Sequence, residues 1–243
     1  MNDDNKNDNS NDKDSPKATN DKALGIDGID ALSQYFKSAP STREGRAIPP
    51  LENWHPEQVT DMDLSIKANG EWWHEGGHMT RQSLVSLFAT ILWKEENSGA
   101  VEYFLKTPVQ KLRIQVEDAP LLINDVGIVE DAGKRWLEFT TTTGDVVRLD
   151  AAHPIGLRAY SIKNTDNSGN SDKSKDKEDI GSIESTTQIR PYMMVRNGLE
   201  ALIGRNAFYH LTEIGELTER DGETILTLQS GDNAYTLSMP LDS

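Results

Sequence analysis

The chain has 243 residues, no cysteine and a formal net charge of −15 at pH 7. That length can bury one large core or two small ones. Without cysteine there is no disulfide, thiol nucleophile or thiolate metal site, a usage that fits a reducing cytoplasm.

Residues 1–22, "MNDDNKNDNSNDKDSPKATNDK", hold six Asp and four Lys and almost no apolar side chains. They read as a disordered tail, with neither a secretory signal nor a membrane anchor. No later stretch approaches the ~20 apolar residues of a membrane helix, so a soluble, cytoplasmic protein is expected. "GIDGIDALSQYFKSAP" places Ile29, Leu32, Tyr35 and Phe36 at helical spacing and predicts a short amphipathic helix ending before Pro40. A proline-punctuated connector, "AIPPLENWHP", follows.

In "DLSIKANGEWWHEG" the alternation of Leu64 and Ile66 runs into Asn69-Gly70 and resumes at Trp72 and His74, which predicts a β-hairpin. Thr80 is placed to cap a helix through "RQSLVSLFATILWKEE", with Leu84, Leu87, Phe88, Ile91 and Leu92 as its apolar stripe. From residue 101 the period becomes two. "VEYFL", "KLRIQV", "LLINDVGIV", "RWLEFTT", "DVVRLD" and "PIGLRAY" are strand candidates separated by Pro- and Gly-containing turns. Residues 161–188, "SIKNTDNSGNSDKSKDKEDIGSIESTTQ", hold six acidic groups and four Lys and read as a disordered surface insertion. The spacing then predicts a strand, "PYMMV", a helix, "GLEALIGR", and two closing strands, "TILTLQ" and "AYTLSM", turning at Gly231-Asp232. Faint repetition runs through the chain: hairpin followed by helix near 62–93, and loosely again near 136–205.

The fold class expected is α+β, with two related halves of antiparallel hairpins, each with a packed helix. The division expected is a tail over 1–22, an N-terminal α+β half over 23–106, and a β-rich C-terminal half over 107–243 carrying the 161–188 insertion.

The tail and the insertion each contribute −2 of the net charge, which leaves −11 on the rest. A surface for bulk DNA or RNA needs clustered cations, so nucleic acid is not an expected partner. A small anion in a local arginine pocket needs only two or three charges. "QIRPYMMVRNGLEALIGRNAFYHL" concentrates Arg190, Arg196 and Arg205 with Glu200 as its only acidic residue. Arg196 immediately precedes the predicted helix start at Asn197-Gly198, where free N–H groups would favour an anion. The alternative is that these arginines pair with the surplus carboxylates.

His74-Glu75-Gly76-Gly77-His78 spells the H-E-x-x-H of zinc proteases. That chemistry requires both imidazoles on one helix face, one turn apart. Two glycines inside the helix would cost roughly 2 kcal/mol against alanine, and the flanking signals place the segment at a strand end and loop. The expectation is therefore a strand residue and a loop residue, with a metal-dependent hydrolase using His74 and His78 as the competing enzyme hypothesis. The P-loop, dinucleotide-binding and nucleophile-elbow motifs are absent from the sequence, so no cofactor is expected. Glu117-Asp118 could bind a ribose, a metal or a cation, or simply satisfy its own turn. The tryptophans at 54, 72, 73 and 93 read as core rather than as a stacking platform.

Several stretches together resemble one uncharacterised bacterial family, DUF1285: "PPLENW", "NGEWWHEG", "RQSLVSLFATIL", "YFLKTPVQKLRIQVEDAPLL", "AHPI" and "RPYMMVRNGLEALIGRNAFY". The likeness covers about residues 48–160 and 190–215. It implies a duplicated core of two related α+β halves, the C-terminal one resembling a small pleckstrin-homology-like barrel or roll. It further implies a ligand site between the halves, for a small anionic or nucleotide-like molecule, and a regulatory role in signalling. Carried to this chain, the motif residues are Trp72, Gly76, Arg81, Thr107, Pro108, Lys111, Glu117, Asp118, His153, Tyr192, Arg196, Gly198, Glu200 and Arg205. The ligand-binding set expected is Arg81, Lys111, Glu117, Asp118, His153, Tyr192, Arg196 and Arg205, with Arg196 central and Arg81 or Lys111 supplied by the other half. Two departures are visible: Gln110 stands where an acidic residue is expected, and 161–188 interrupts a run that the family makes almost directly from "HP" to "PY". A non-enzymatic ligand-binding or regulatory module is the leading expectation, ahead of the metal hydrolase and of a protein–protein adaptor without a small-molecule ligand.

Overall fold

The computed structural model describes residues 48–162 and 186–240. The predicted tail, the first predicted helix and most of the insertion lie outside them. The ends of the insertion are strand rather than loop.

After a 3₁₀ turn at Leu51–Asn53, the first half runs β1 (Gln58–Ile66), β2 (Trp72–His74), β3 (Gly77–His78), α1 (Gln82–Thr90), β4 (Leu92–Asn97), β5 (Ala100–Lys106) and β6 (Gln110–Val116). The second half runs β7 (Leu121–Asp131), β8 (Lys134–Thr141), β9 (Val146–Arg148), β10 (Ile155–Ile162), β11 (Thr186–Arg196) and β12 (Leu199–Ile203). It is followed by α2 (Arg205–Ile214) and by β13 (Glu216–Arg220), β14 (Glu223–Ser230) and β15 (Asn233–Pro240).

The two halves share one topology. The first sheet is ordered β3-β2-β1-β6-β5-β4, and the second, read from β9, is β9-β8-β7-β12-β11-β10. Each is a pair of three-stranded meanders joined where the first strand meets the sixth. That junction is parallel in both sheets, β1 with β6 and β7 with β12, while the other neighbours are antiparallel. The duplication therefore spans residues 58–116 and 121–203, rather than the hairpin-then-helix repeat predicted. The first copy has α1 between its third and fourth strands, whereas the second connects those strands by loop alone.

The described residues are thus mostly β, in two open six-stranded sheets and one three-stranded sheet, and no barrel closes among them. The predicted division at 106/107 falls between hydrogen-bonded neighbours, β5 and β6. The halves meet instead at Glu117–Pro120.

Two predicted helices are corrected. Helix α1 stops at Thr90 and Leu92–Asn97 is strand, because Leu92 and Trp93 pair with Leu105 and Phe104. Its N-terminal flanking residue is Arg81, without a side-chain cap, rather than Thr80. "GLEALIGR" is strand β12: Asn197 and Gly198 both take positive φ, 47° and 73°, and make a tight turn between β11 and β12. That Asn-Gly pair suits a two-residue hairpin turn, and Leu199, Ala201 and Ile203 then alternate inward.

The core residues of the first half include Leu64, Ile66, Leu92, Leu105 and Trp72, whose ring lies 6.5 Å from Phe88 of α1. In the second half Leu121, Ile123, Phe139, Met193, Ala201 and Ile203 are buried, together with Ala207 and Leu211 of α2. The halves abut where Gly70 of the β1–β2 turn lies against Leu122: a Cβ there would sit 2.7 Å from Leu122 Cδ2, and φ at Gly70 is +85°. Only glycine meets both demands without strain.

Candidate functional site

The link between the two sheets carries the most organised polar cluster among the described residues. Asp118, between β6 and β7, has a side chain only 3% exposed. Tyr192 Oη donates to both its carboxylate oxygens, at 2.7 and 2.9 Å. Arg190 donates to Oδ2 at 2.9 Å, and Arg158 Nη2 lies 3.8 Å from Oδ1. A buried carboxylate is tolerable only with such partners.

Register explains why these groups meet. Across β10 and β11, Arg158 faces Arg190, Tyr160 faces Gln188 and Gly156 faces Tyr192. Side chains two apart share a face, so Arg158, Tyr160, Arg190 and Tyr192 form one stripe. The like-charged pair is tolerated because each guanidinium stacks diagonally on a tyrosine. Arg158 lies 3.9 Å from the Tyr192 centroid and Arg190 3.9 Å from that of Tyr160. Arg158 also holds Glu200 of β12 at 2.7 Å.

The first sheet supplies Tyr103. Burial pushes its phenol above the ordinary range, assisted by the charges of Glu200 and Asp118 and opposed by that of Arg158. Tyr192 is pushed up to about 12 by burial first and then by its hydrogen bond to Asp118. Both phenols are hydrogen-bonding groups rather than bases at neutral pH. Lys94 faces Tyr103 across β4–β5, and its Cδ lies 3.8 Å from the position a Cβ on Gly198 would take.

The structure brings together Asp118 and Tyr192 from the expected set, with Glu117 adjacent. Burial raises the Glu117 pKa, but the Lys67 ammonium at 2.7 Å and the Ala68 N–H outweigh it and hold the carboxyl below its usual value. The other expected residues have separate partners. Lys111 is bound by both oxygens of Glu95, at 2.9 and 2.8 Å. It pairs with Lys106, three residues from Tyr103, so it projects from the opposite face of the first sheet and cannot be the cation supplied across the seam. His153 contacts Asp150 at 2.9 Å in the β9–β10 loop. Burial raises the Asp150 pKa, yet hydrogen bonds from the His153 ring and from the N–H groups of His153 and Ala152 outweigh that and hold it low. Arg81 and Arg205 are exposed at the starts of α1 and α2.

Arg196 is not at a helix start. Its Nε donates to Asp145 at 2.6 Å and its Nη2 to the Ala89 carbonyl at 2.6 Å, with side chains 13% and 10% exposed for Arg196 and Asp145. Both oxygens of Asp145 are engaged, because Thr141 and Thr143 hydroxyls donate to Oδ2. Arg196 ties the end of α1 to the β8–β9 turn, and the free helix N–H groups expected beside it do not exist.

Residues 74–78 form the β2–β3 hairpin, turning through Glu75 (φ 48°) and Gly76 (φ 73°). Trp73 pairs with His78 and His74 with Gly77. Paired residues share a face and successive residues alternate, so the two imidazoles lie on opposite faces. His78 stacks on Trp73 at 5.6 Å instead. No group of three or more metal-ligating side chains is assembled among the described residues. Elemental analysis of purified protein should accordingly find less than one zinc per chain, unchanged by His74→Ala. One tightly held zinc lost in that variant would contradict the hairpin geometry.

Arg158 was illegible as a site residue because "PIGLRAY" carries no motif. The available signal was parity: Arg158 and Tyr160 on one strand can meet Arg190 and Tyr192 on the next only when the two strands pair antiparallel.

Residues 49–119 match the family described as Domain of unknown function (DUF1285), N-terminal domain, and residues 164–237 match Protein of unknown function (DUF1285), C-terminal domain. Among curated proteins none matches. A solved DUF1285 family protein from Silicibacter pomeroyi DSS-3 is 31% identical, over 86% of this chain and 94% of that one, with a TM-score of 0.59. Another, from Shewanella baltica OS155, is 28% identical over 63% of this chain and 91% of that one, with a TM-score of 0.39. With both domain signatures in order and one solved relative matched along most of its length, the chain belongs to the DUF1285 family.

Proposed function

We propose that the seam between the two sheets binds a small anionic, nucleotide-like ligand, and that the protein is a non-enzymatic regulatory module. The observation that supports this reading most is Arg158. Its guanidinium is laid flat on Tyr192, backed by the buried Asp118, and remains 47% exposed at its edge. A planar guanidinium held at its face presents its N–H fork to a carboxylate or phosphate without further ordering. Tyr160 and Tyr103 offer aromatic surface for a base. Tyr103 and Tyr192, both pushed above the ordinary phenol range, are donors rather than bases at neutral pH.

Glu200 already occupies Arg158 at 2.7 Å. An entering anion must displace it, so Glu200 sets an upper limit on affinity. Calorimetric titration with nucleoside monophosphates, and with inorganic phosphate as the headgroup alone, tests the reading. Binding should be lost in Arg158→Ala and strengthened several-fold in Glu200→Gln, where the internal competitor has no charge. Failure of every nucleotide and of phosphate to bind, or binding indifferent to Arg158→Ala, would leave the protein-adaptor reading in its place. No helix among the described residues is long and apolar enough to cross a membrane.

A further inference from the structure

A groove of about 510 Å³ separates the β7–β8 hairpin from the three-stranded sheet, and nothing at the seam involves it. That volume lies within the ~300–1,000 Å³ typical of small-ligand sites. One wall follows from register: Ile128 pairs with Leu137, and Glu130 with Arg135. All four therefore share one face of the hairpin. On that face Ile128 is 43% exposed, an apolar surface left uncovered beside a cation. The facing wall is β14, with Thr227 and Gln229 two apart, and Ile214 and Gly215 close one end. A Cβ on Gly215 would sit 2.6 Å from Leu226 Cδ1, so this end is bare backbone.

The wall is rigidly placed. The β14–β15 turn docks on the start of β8, which β9 leaves unpaired: the Gly231 N–H donates to the Arg135 carbonyl at 2.8 Å, and the Leu137 N–H donates to Ser230 Oγ at 3.1 Å. The Trp136 ring packs on Gly231, where a Cβ would meet it at 2.6 Å.

The charges differ in their freedom. Lys134 is neutralised by Asp232. Arg135, like Arg81 and Arg205 at the helix starts, makes no side-chain hydrogen bond or ion pair among the described residues, whereas Arg113, Arg148, Arg158, Arg190, Arg196 and Arg220 are all paired. Glu130 stands opposite Arg135 in register but makes no ion pair with it. In a chain of net charge −15, an unpaired guanidinium beside exposed isoleucine is where an amphipathic acid gains both contacts at once. Glu216 on the rim repels a second negative charge, which favours a monoanion over a phosphate.

We propose that this groove binds a small monocarboxylic acid with an apolar body. The carboxylate sits on Arg135 and the body between Ile128 and Ile214, with Thr227 and Gln229 as hydrogen-bonding neighbours. The test uses three probes of one shape, 3-phenylpropanoate, its amide and the corresponding amine, titrated into isotope-labelled full-length protein. The Trp136 indole N–H is the reporter. The acid should give a saturable shift in the millimolar range, with the amide at least about tenfold weaker and the amine weaker still. Arg135→Gln should reduce the acid to the level of the amide while leaving the amide unaffected, and Ile128→Asn should weaken all three probes. Because both side chains are exposed, the remaining backbone spectrum should be unchanged in each variant. Equal binding of acid and amide, indifference to Arg135→Gln, or no saturable shift from any probe would overturn the proposal.

Discussion

Arg196→Glu is expected to unfold the protein or lower its stability by about 3–5 kcal/mol, the range for removing one partner of a buried ion pair. Reversal is worse than deletion here. The new carboxylate would face Asp145, whose second oxygen is already committed to Thr141 and Thr143, and the Ala89 carbonyl would lose its donor. Urea denaturation followed by circular dichroism measures the loss. A double-mutant cycle with Asp145→Ala should recover part of it, because two groups that meet at 2.6 Å are coupled. A wild-type unfolding midpoint in Arg196→Glu would show that the guanidinium does not clamp α1 to the β8–β9 turn. The sequence alone leads to the opposite expectation, an exposed arginine whose reversal abolishes ligand binding and spares the fold.

Asp118→Ala should have an effect of similar size, again about 3–5 kcal/mol, because it strands Arg190 and leaves the Tyr192 hydroxyl without an acceptor. Asp118→Asn, which keeps an acceptor oxygen, should lose less. Tyr192 gives the cluster a signature in pH. Its folded pKa, about 12, lies above the unfolded value of 10.0. A phenol raised in this way contributes stability that is fully present below pH 10 and is lost as pH rises towards 12. Tyr192→Phe should remove that alkaline decline, so that the stability difference between wild type and variant shrinks as pH rises from 10 towards 12. If the curves of wild type and Tyr192→Phe stay parallel from pH 9 to 12, the phenol is not held by Asp118.

The strands of the second half and of the three-stranded sheet were legible because their signals are local. "RWLEFTT" and "AYTLSM" alternate, and Gly144-Asp145 and Gly231-Asp232 supply the turns. The errors came where a local signal admits two readings. Leu199, Ala201 and Ile203 satisfy a period of two, while Leu199, Leu202 and Ile203 satisfy a helical stripe. The Asn197-Gly198 turn decided for the strand. At α1 the helical stripe was real, but it ends once Leu92 and Trp93 find Leu105 and Phe104 across β5, a partnership that depends on folding. The site followed the same rule. Asp118 and Tyr192 could be named from the resemblance, yet Arg158 and Tyr103 join them only through the register of three strands and the apposition of two sheets. Lys111 failed on parity alone, since one residue along β6 would have carried it to the other face.

In both sheets the first strand lies beside the sixth, and this arrangement governs how the molecule can assemble. β1 is complete at Ile66, yet it gains its second neighbour only when Gln110–Val116 has been made. β7 waits in the same way for Leu199–Ile203, across the whole intervening chain. Neither half can therefore form by zipping neighbouring hairpins alone; each must close a long loop before its central strands are covered. Contacts so distant in sequence slow folding, because the entropy of closure is lost before the contacts compensate for it. A nascent chain released before residue 110 would expose the inner edge of β1 as an unpaired strand, and during synthesis the first half has to wait for its last strand.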